Sequence, residues 1–145
     1  MKVLFDTNAV IALIISVHPH HSAINRTYKK LKSQKAELYI ANHTIAELYR
    51  NLTRGQHYLS YSPKQAKEII HATVLTEFEL TKLNNSHYVE VIDWVSSLNL
   101  SGAIVYDALI SKAASLIKAT YLVTFNAKDF QRVFPENGAD LIIPG

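Results

Sequence analysis

The chain has 145 residues, of which 48% are hydrophobic and 19% charged, with a formal net charge of +3 and no cysteine. That length fits one domain, spanning 1–145, with a core that needs no covalent staple. The missing cysteines exclude disulfides, thiolate zinc sites and thiol nucleophiles and fit a reducing cytoplasm; no apolar run reaches the length of a membrane span.

Lys2 to Phe5 reads as a first strand, and its unbroken run Val3-Leu4-Phe5 calls for burial on both faces. Met1-Lys2 leads straight into it, with no secretory leader pattern. A short helix is expected from Ala9 to Ile15, and Pro19 marks a break. Between His21 and Gln34, Ile24, Tyr28 and Leu31 recur at helical spacing. Arg26, Lys29, Lys30, Lys32 and Lys35 form the densest basic stretch, suited equally to a solvated face or to phosphate contact. Leu38 to Ala41 is a second strand, followed by a helix from Thr44 to Thr53. Ser62, Pro63 and Gln65 fit the N-cap, N1 and N3 positions of a helix running to about Leu75. Phe78 to Thr81 is a short strand, and Ser86 to Leu98 is an amphipathic helix containing Trp94. Val105 to Lys118 is apolar nearly all round and belongs deep in the fold. A strand over Thr120 to Phe125, a short helix over Lys128 to Val133 and a strand over Asp140 to Ile143 complete the chain. Strands alternating with helices read as βαβ units and a parallel α/β sheet.

Against that order, four carboxylates share a placement. Asp6 closes the first strand, Glu47 lies in the helix after the second, Asp107 opens the late apolar helix, and Asp129 follows the strand ending at Phe125. Ligands of parallel sheets bind outside the carboxyl ends of the strands, so acids far apart in sequence can meet there. Gathered acids repel one another unless a cation sits among them, and hard oxygen donors select Mg²⁺ or Mn²⁺. Each acid also has an ordinary reading. Asp6-Thr7-Asn8 suits a loop or cap, Thr44 and Glu47 match a capping box, and Asp107 and Asp129 sit where a helix dipole favours an anion. Asn126 is the natural cap of the last helix, and Thr124 offers a hydroxyl at a strand end. His18-Pro19-His20-His21 invites a zinc reading, but its spacing lacks the paired helical ligands of a zinc hydrolase and favours surface histidines.

Leu4-Phe5-Asp6-Thr7-Asn8, Ile45-Ala46-Glu47-Leu48, Tyr106-Asp107-Ala108-Leu109-Ile110 and Leu122-Val123-Thr124-Phe125-Asn126 together resemble the PIN-domain family, specifically VapC-type toxins of toxin–antitoxin pairs. The resemblance implies a three-layer α/β/α fold with a mostly parallel sheet. It also implies a Mg²⁺- or Mn²⁺-dependent endoribonuclease, a small antitoxin partner and a homodimer. It assigns metal binding to Asp6, Glu47 and Asp107 and leaves the fourth position between Asn126 and Asp129, with Thr124 beside them. Asn8, Arg50 and Arg54 are then expected to contact substrate, and Tyr58 and Tyr61 to be exposed at a protein interface. RNA would be hydrolysed by a water that the ion activates, leaving 5′-phosphate and 3′-hydroxyl ends. Asn126 in place of an acid supports one alternative, a catalytically weakened RNA-binding or scaffold protein. A phosphotransfer receiver lacks its mid-chain phosphorylatable Asp here, and an aspartyl phosphatase would need a second Asp where Asn8 stands.

Overall fold

The computed structural model describes residues 1–54 and 60–145. Tyr58, expected at an interface, lies outside the described residues. Strands β1 (Lys2–Phe5), β2 (Glu37–Ile40), β3 (Glu79–Leu80), β4 (Tyr121–Val123) and β5 (Asp140–Ile142) form one sheet in the order β3-β2-β1-β4-β5. Every pairing is parallel. Helices cover both faces, which makes the expected three-layer α/β/α arrangement. They are α1 (Thr7–Ile14), α2 (His21–Ser33), α3 (Thr44–Thr53), α4 (Pro63–Ile69), α5 (Leu75–Glu77), α6 (Asn85–Ser97), α7 (Ile104–Leu116) and α8 (Ala127–Phe130). A π-helical stretch, Ile70–Val74, joins α4 to α5.

The central strand explains the two cores. Successive side chains of a strand point to opposite faces. Val3 and Phe5 pack with α1, α2 and α3, while Leu4 packs with α6, α7 and α8; all three are fully buried. This is why the run Val3-Leu4-Phe5 is apolar without alternation. In α7, Ala108, Leu109, Ile110, Ala113 and Ala114 are all buried, as its apolar circumference requires. Ser62 and Gln65 close the expected capping box at α4, with bonds of 3.1 and 2.9 Å.

Three local expectations need correcting. Helix α1 begins at Thr7 instead of Ala9, because the Asp6 side chain caps it by accepting the Thr7 N–H at 2.7 Å. Thr44 is not a cap: α3 starts there, after His43, and the Thr44 hydroxyl turns inward to that of Thr7, 3.1 Å away. Tyr61 is partly buried against the α1–α4 core instead of exposed.

Phe130 is fully buried and anchors the one-turn helix α8 to the second core. Phe130→Ala is expected to lower the unfolding free energy by roughly 3–5 kcal/mol, read by denaturant titration.

Candidate active site

The sheet order reverses at β1. The chain runs outward through β2 and β3 on one side, then crosses to β4 and β5 on the other. The crevice at such a reversal, outside the strands' carboxyl ends, is where α/β folds bind ligands. β1 and β4 pair with Phe5 opposite Val123, so the next residues, Asp6 and Thr124, stand side by side. The Asp6 N–H donates to the Val123 carbonyl at 2.9 Å. The Thr124 hydroxyl donates to Asp6 Oδ2 at 2.8 Å, while Asp6 Oδ1 takes the Thr7 N–H. Both oxygens of a buried carboxylate are thereby engaged by uncharged donors.

Asp6, Glu47 and Asp107 line one cavity of about 290 Å³ with Thr7, Asn8 and Asn51; Ile11 and His18 complete its wall. Thr7 joins the first two acids. Its N–H serves Asp6, and its hydroxyl donates to Glu47 Oε1 at 3.0 Å. Asn51, one turn after Glu47, donates to the Glu47 carbonyl at 2.8 Å. Asn8 Oδ1 accepts the Phe125 N–H at 3.3 Å and ties α1 to the loop after β4. His43 places Nε2 3.4 Å from Glu47 Oε1. Burial lowers the pKa of His43 to about 4, and neither ring nitrogen has a hydrogen-bond partner among the described residues. The imidazole is therefore neutral at pH 7, and the contact is not an ion pair.

The electrostatics are those of crowded anions. Burial raises Asp6 to about 6; the bonds from Thr124 and Thr7 oppose the rise, and Glu47 adds to it. Asp107 rises to about 7, first through burial and then through repulsion from Asp6, Asp129 and Glu47. Glu47 is raised as well, mainly by burial, against the Thr7 bond and the Arg50 charge.

The other expected residues lie around this centre. Asn126 and Asp129 are not alternatives at one position but a bonded pair, with Asn126 Nδ2 2.6 Å from Asp129 Oδ2. Asp129 also accepts from Arg132 at 2.7 Å. These two bonds, Asn126 first, hold its carboxyl below the usual range. Asp129 is not in the cavity wall, although its charge reaches Asp107. Asn126 takes the helix-cap position without a side-chain capping bond; its N–H donates to Thr124 Oγ1 at 2.9 Å. Arg50 is exposed in a neighbouring cavity of about 560 Å³ that it shares with Glu47, Asn51 and Tyr106. Arg54 is exposed at the end of α3, outside both cavities. His18 is half-buried in the acidic cavity wall, and the His21 ring lies 2.9 Å from the Ala12 carbonyl. Of the three histidines expected at the surface, His20 alone is exposed, and His18 and His21 are partly buried.

Sequence position does not single out Asn51 or His43, and it marks Thr44 only as a cap and His18 only as a surface histidine. Asn51 had a usable signal, since it shares the helical face of Glu47 at i+4. His18 had none, because its place in the wall depends on the path of the α1–α2 connection.

Among the described residues, no three histidine or acidic side chains form a ready-made metal-binding group. The donor chemistry nonetheless fits a hard divalent cation. The candidate ligands are all carboxylates, two of them raised by burial and mutual repulsion, and both penalties fall when positive charge enters.

Fold and site define an α/β protein with an acidic crevice at the point where strand order reverses. The chain belongs to the PIN domain family, a family of nucleases, whose profile matches residues 3–134. Solved structures with the same fold include VapBC2 from Rickettsia felis bound to a DNA fragment from its promoter. It has 21% identity over 98% of both chains and a TM-score of 0.68. VapBC-1 from nontypeable Haemophilus influenzae has 21% identity over 98% of this chain and 97% of that one, with a TM-score of 0.67. FitAcB from Neisseria gonorrhoeae has 15% identity over the same shares and a TM-score of 0.66. No curated protein sequence matches the chain.

The raised acids set a pH signature. Their folded pKa values lie above the ordinary value of 3.8, so between about pH 4 and 7 the folded state holds protons that the unfolded chain has released. Their contribution to stability is full at low pH and is lost as pH rises through about 6 to 7. In EDTA, Asp107→Asn is expected to raise the melting temperature at pH 8 and to flatten its fall between pH 4 and 8. Parallel wild-type and variant profiles would contradict the crowding of these acids.

Proposed function

We propose that the protein is a Mg²⁺- or Mn²⁺-dependent endoribonuclease, the toxin of a toxin–antitoxin pair, acting in the cytoplasm. The observation that carries this is the convergence of Asp6, Glu47 and Asp107 on one cavity of a PIN-domain fold. Those three side chains would hold the ion, with Asn126 and Asp129 bordering its outer side. When bound, the ion supplies Lewis acidity at the scissile phosphate and neutralises charge that develops there.

The chain's own groups do the positioning. Thr124 and Thr7 fix both oxygens of Asp6, and Thr7 also orients Glu47, so one residue sets the spacing of two acids. Asn8 and Arg50 lie where a phosphodiester strand would cross the rim, and Arg54 lies farther along α3. With its pKa raised, Asp107 is suited to exchange a proton near neutrality when no cation is present.

The proposed antitoxin contact is an apolar groove of about 910 Å³ between α3 and α4. Ile45, Tyr49 and Ile70 line it together with Lys64 and Lys67, which suits an apolar segment bearing acidic side chains. A second copy of the chain is proposed to cover the outer face of α6, where Val89 and Ile92 are exposed one turn apart. That the solved structures with this fold include VapBC and FitAcB complexes supports the pairing with an antitoxin.

A weakened RNA-binding or scaffold protein is the second reading. It is favoured by the engagement of Asp129 with Arg132 and Asn126. Incubation of RNA with the purified chain separates the two. Cleavage in Mg²⁺ or Mn²⁺, absent in EDTA and reduced more than roughly 100-fold by Asp107→Asn, is expected of the nuclease. Retention of RNA without cleavage in either metal would favour the second reading. Thr7→Val removes only the hydroxyl that orients Glu47 and is expected to cost roughly 10–100-fold in metal affinity, measured by calorimetry.

A further inference from the structure

Three aromatic rings lead outward from the acidic cavity. His18 is part of the cavity wall. Its ring lies 5.6 Å from that of His20, tilted by 40°. His20 stacks in turn on Phe125, with centroids 4.5 Å apart and planes within 17°. Phe125 directly follows Thr124, whose hydroxyl holds Asp6, and its N–H donates to Asn8 in the cavity wall. The row is thus tied to the acid cluster at both ends.

The loop that carries it is held in shape. The His20 N–H donates to His18 Nδ1 at 3.0 Å, and the His21 N–H donates to the His18 carbonyl at 3.0 Å. The rings are therefore ordered before any ligand arrives. His20 is nevertheless exposed, and its side chain makes no capping bond to α2. Of the three rings only His20 is exposed; His18 is half-buried, and Phe125 packs partly buried against the α1–α4 core and backs one face of the His20 ring. Unpaired bases stack on such rings with little regard to sequence. A strand whose phosphate entered the cavity would carry its neighbouring base past this row.

We infer that His18, His20 and Phe125 form a stacking subsite for an unpaired nucleobase beside the phosphate held at the acids. This rests on the nuclease reading, and binding measured without metal separates the two. The probe is a short fluorescein-labelled single-stranded RNA, followed by fluorescence anisotropy in EDTA, beside the same strand carrying abasic positions. His20→Ala is expected to weaken binding of the intact strand roughly 5- to 150-fold, the range for losing one stacked base. It should leave the affinity of the fully abasic strand unchanged, and His20→Trp should restore binding of the intact strand. Circular dichroism checks that each variant is folded.

Equal affinity of wild type and His20→Ala for the intact strand would overturn the subsite, even if the wild type cleaves RNA in metal. An equal loss on the abasic strand would also overturn it, since the ring would then serve the backbone. Base-dependent loss in a chain that cleaves in neither metal would uphold the stacking surface and refute the nuclease reading. No binding of the intact strand by the wild type in EDTA would overturn the subsite, while the nuclease reading stands or falls on cleavage in metal.

Discussion

Carboxylates held close together by neutral donors are the constraint on which this site depends. Thr124 and Thr7 give Asp6 one bond to each oxygen, and Thr7 gives another to Glu47. Hydroxyl and amide donors fix the acids without cancelling their charge. An arginine in the same place would complete the ion pair and leave nothing for a cation to neutralise. The chain keeps such a pair one step outside, at Arg132 and Asp129. Thr7, Thr44 and Thr124 are all buried, so their hydroxyls have few partners beyond the acids and each other. The cost of this arrangement shows in the raised pKa values of Asp6 and Asp107. The two apolar cores flanking β1 offset it.

Helix placement provides the second support. Asp6 caps α1, while Glu47, Asp107 and Asp129 lie in the first turns of α3, α7 and α8. Four helix N-termini thus aim their positive ends toward one rim, and each stabilises the anion nearest to it. In a parallel α/β sheet a helix that follows a strand starts at that same edge, which brings α1, α3 and α8 there; α7 follows α6 and reaches the rim by the path of the α6–α7 connection. The ordinary reading of each acid as a helix-terminal anion and its place beside the crevice are therefore compatible: the helix start that favours the charge also carries it to the rim.

What the sequence made legible was whatever depended on pattern. The apolar run of β1, the period of α2, the capping box at Ser62 and the apolar circumference of α7 follow from local chemistry and recur in the fold. Asp6, Glu47 and Asp107 each end a strand or open a helix, and that placement is visible before folding; what they bind is not. Thr44 was misread because a threonine three residues before a glutamate satisfies the capping pattern whether or not its hydroxyl turns inward. The start of α1 was set two residues late because the strand-end position of Asp6 left loop and cap equally open, and only the bond from the Thr7 N–H decides for the cap. Asn126 and Asp129 were weighed as rivals because spacing cannot show that one donates to the other. His18 and His43 enter the site through loop paths and burial, which no local pattern encodes.

Both outer strands of the sheet are short. β3 has two residues and β5 has three, whereas the inner β1 has four. An exposed strand edge is a template on which another chain can add, and a long, flat edge invites ordered aggregation. Here an incoming strand meets too few free backbone groups to register against. The parallel sheet thereby gains protection from strand addition by brevity, and each edge strand also opens on an exposed carboxylate, Glu79 in β3 and Asp140 in β5.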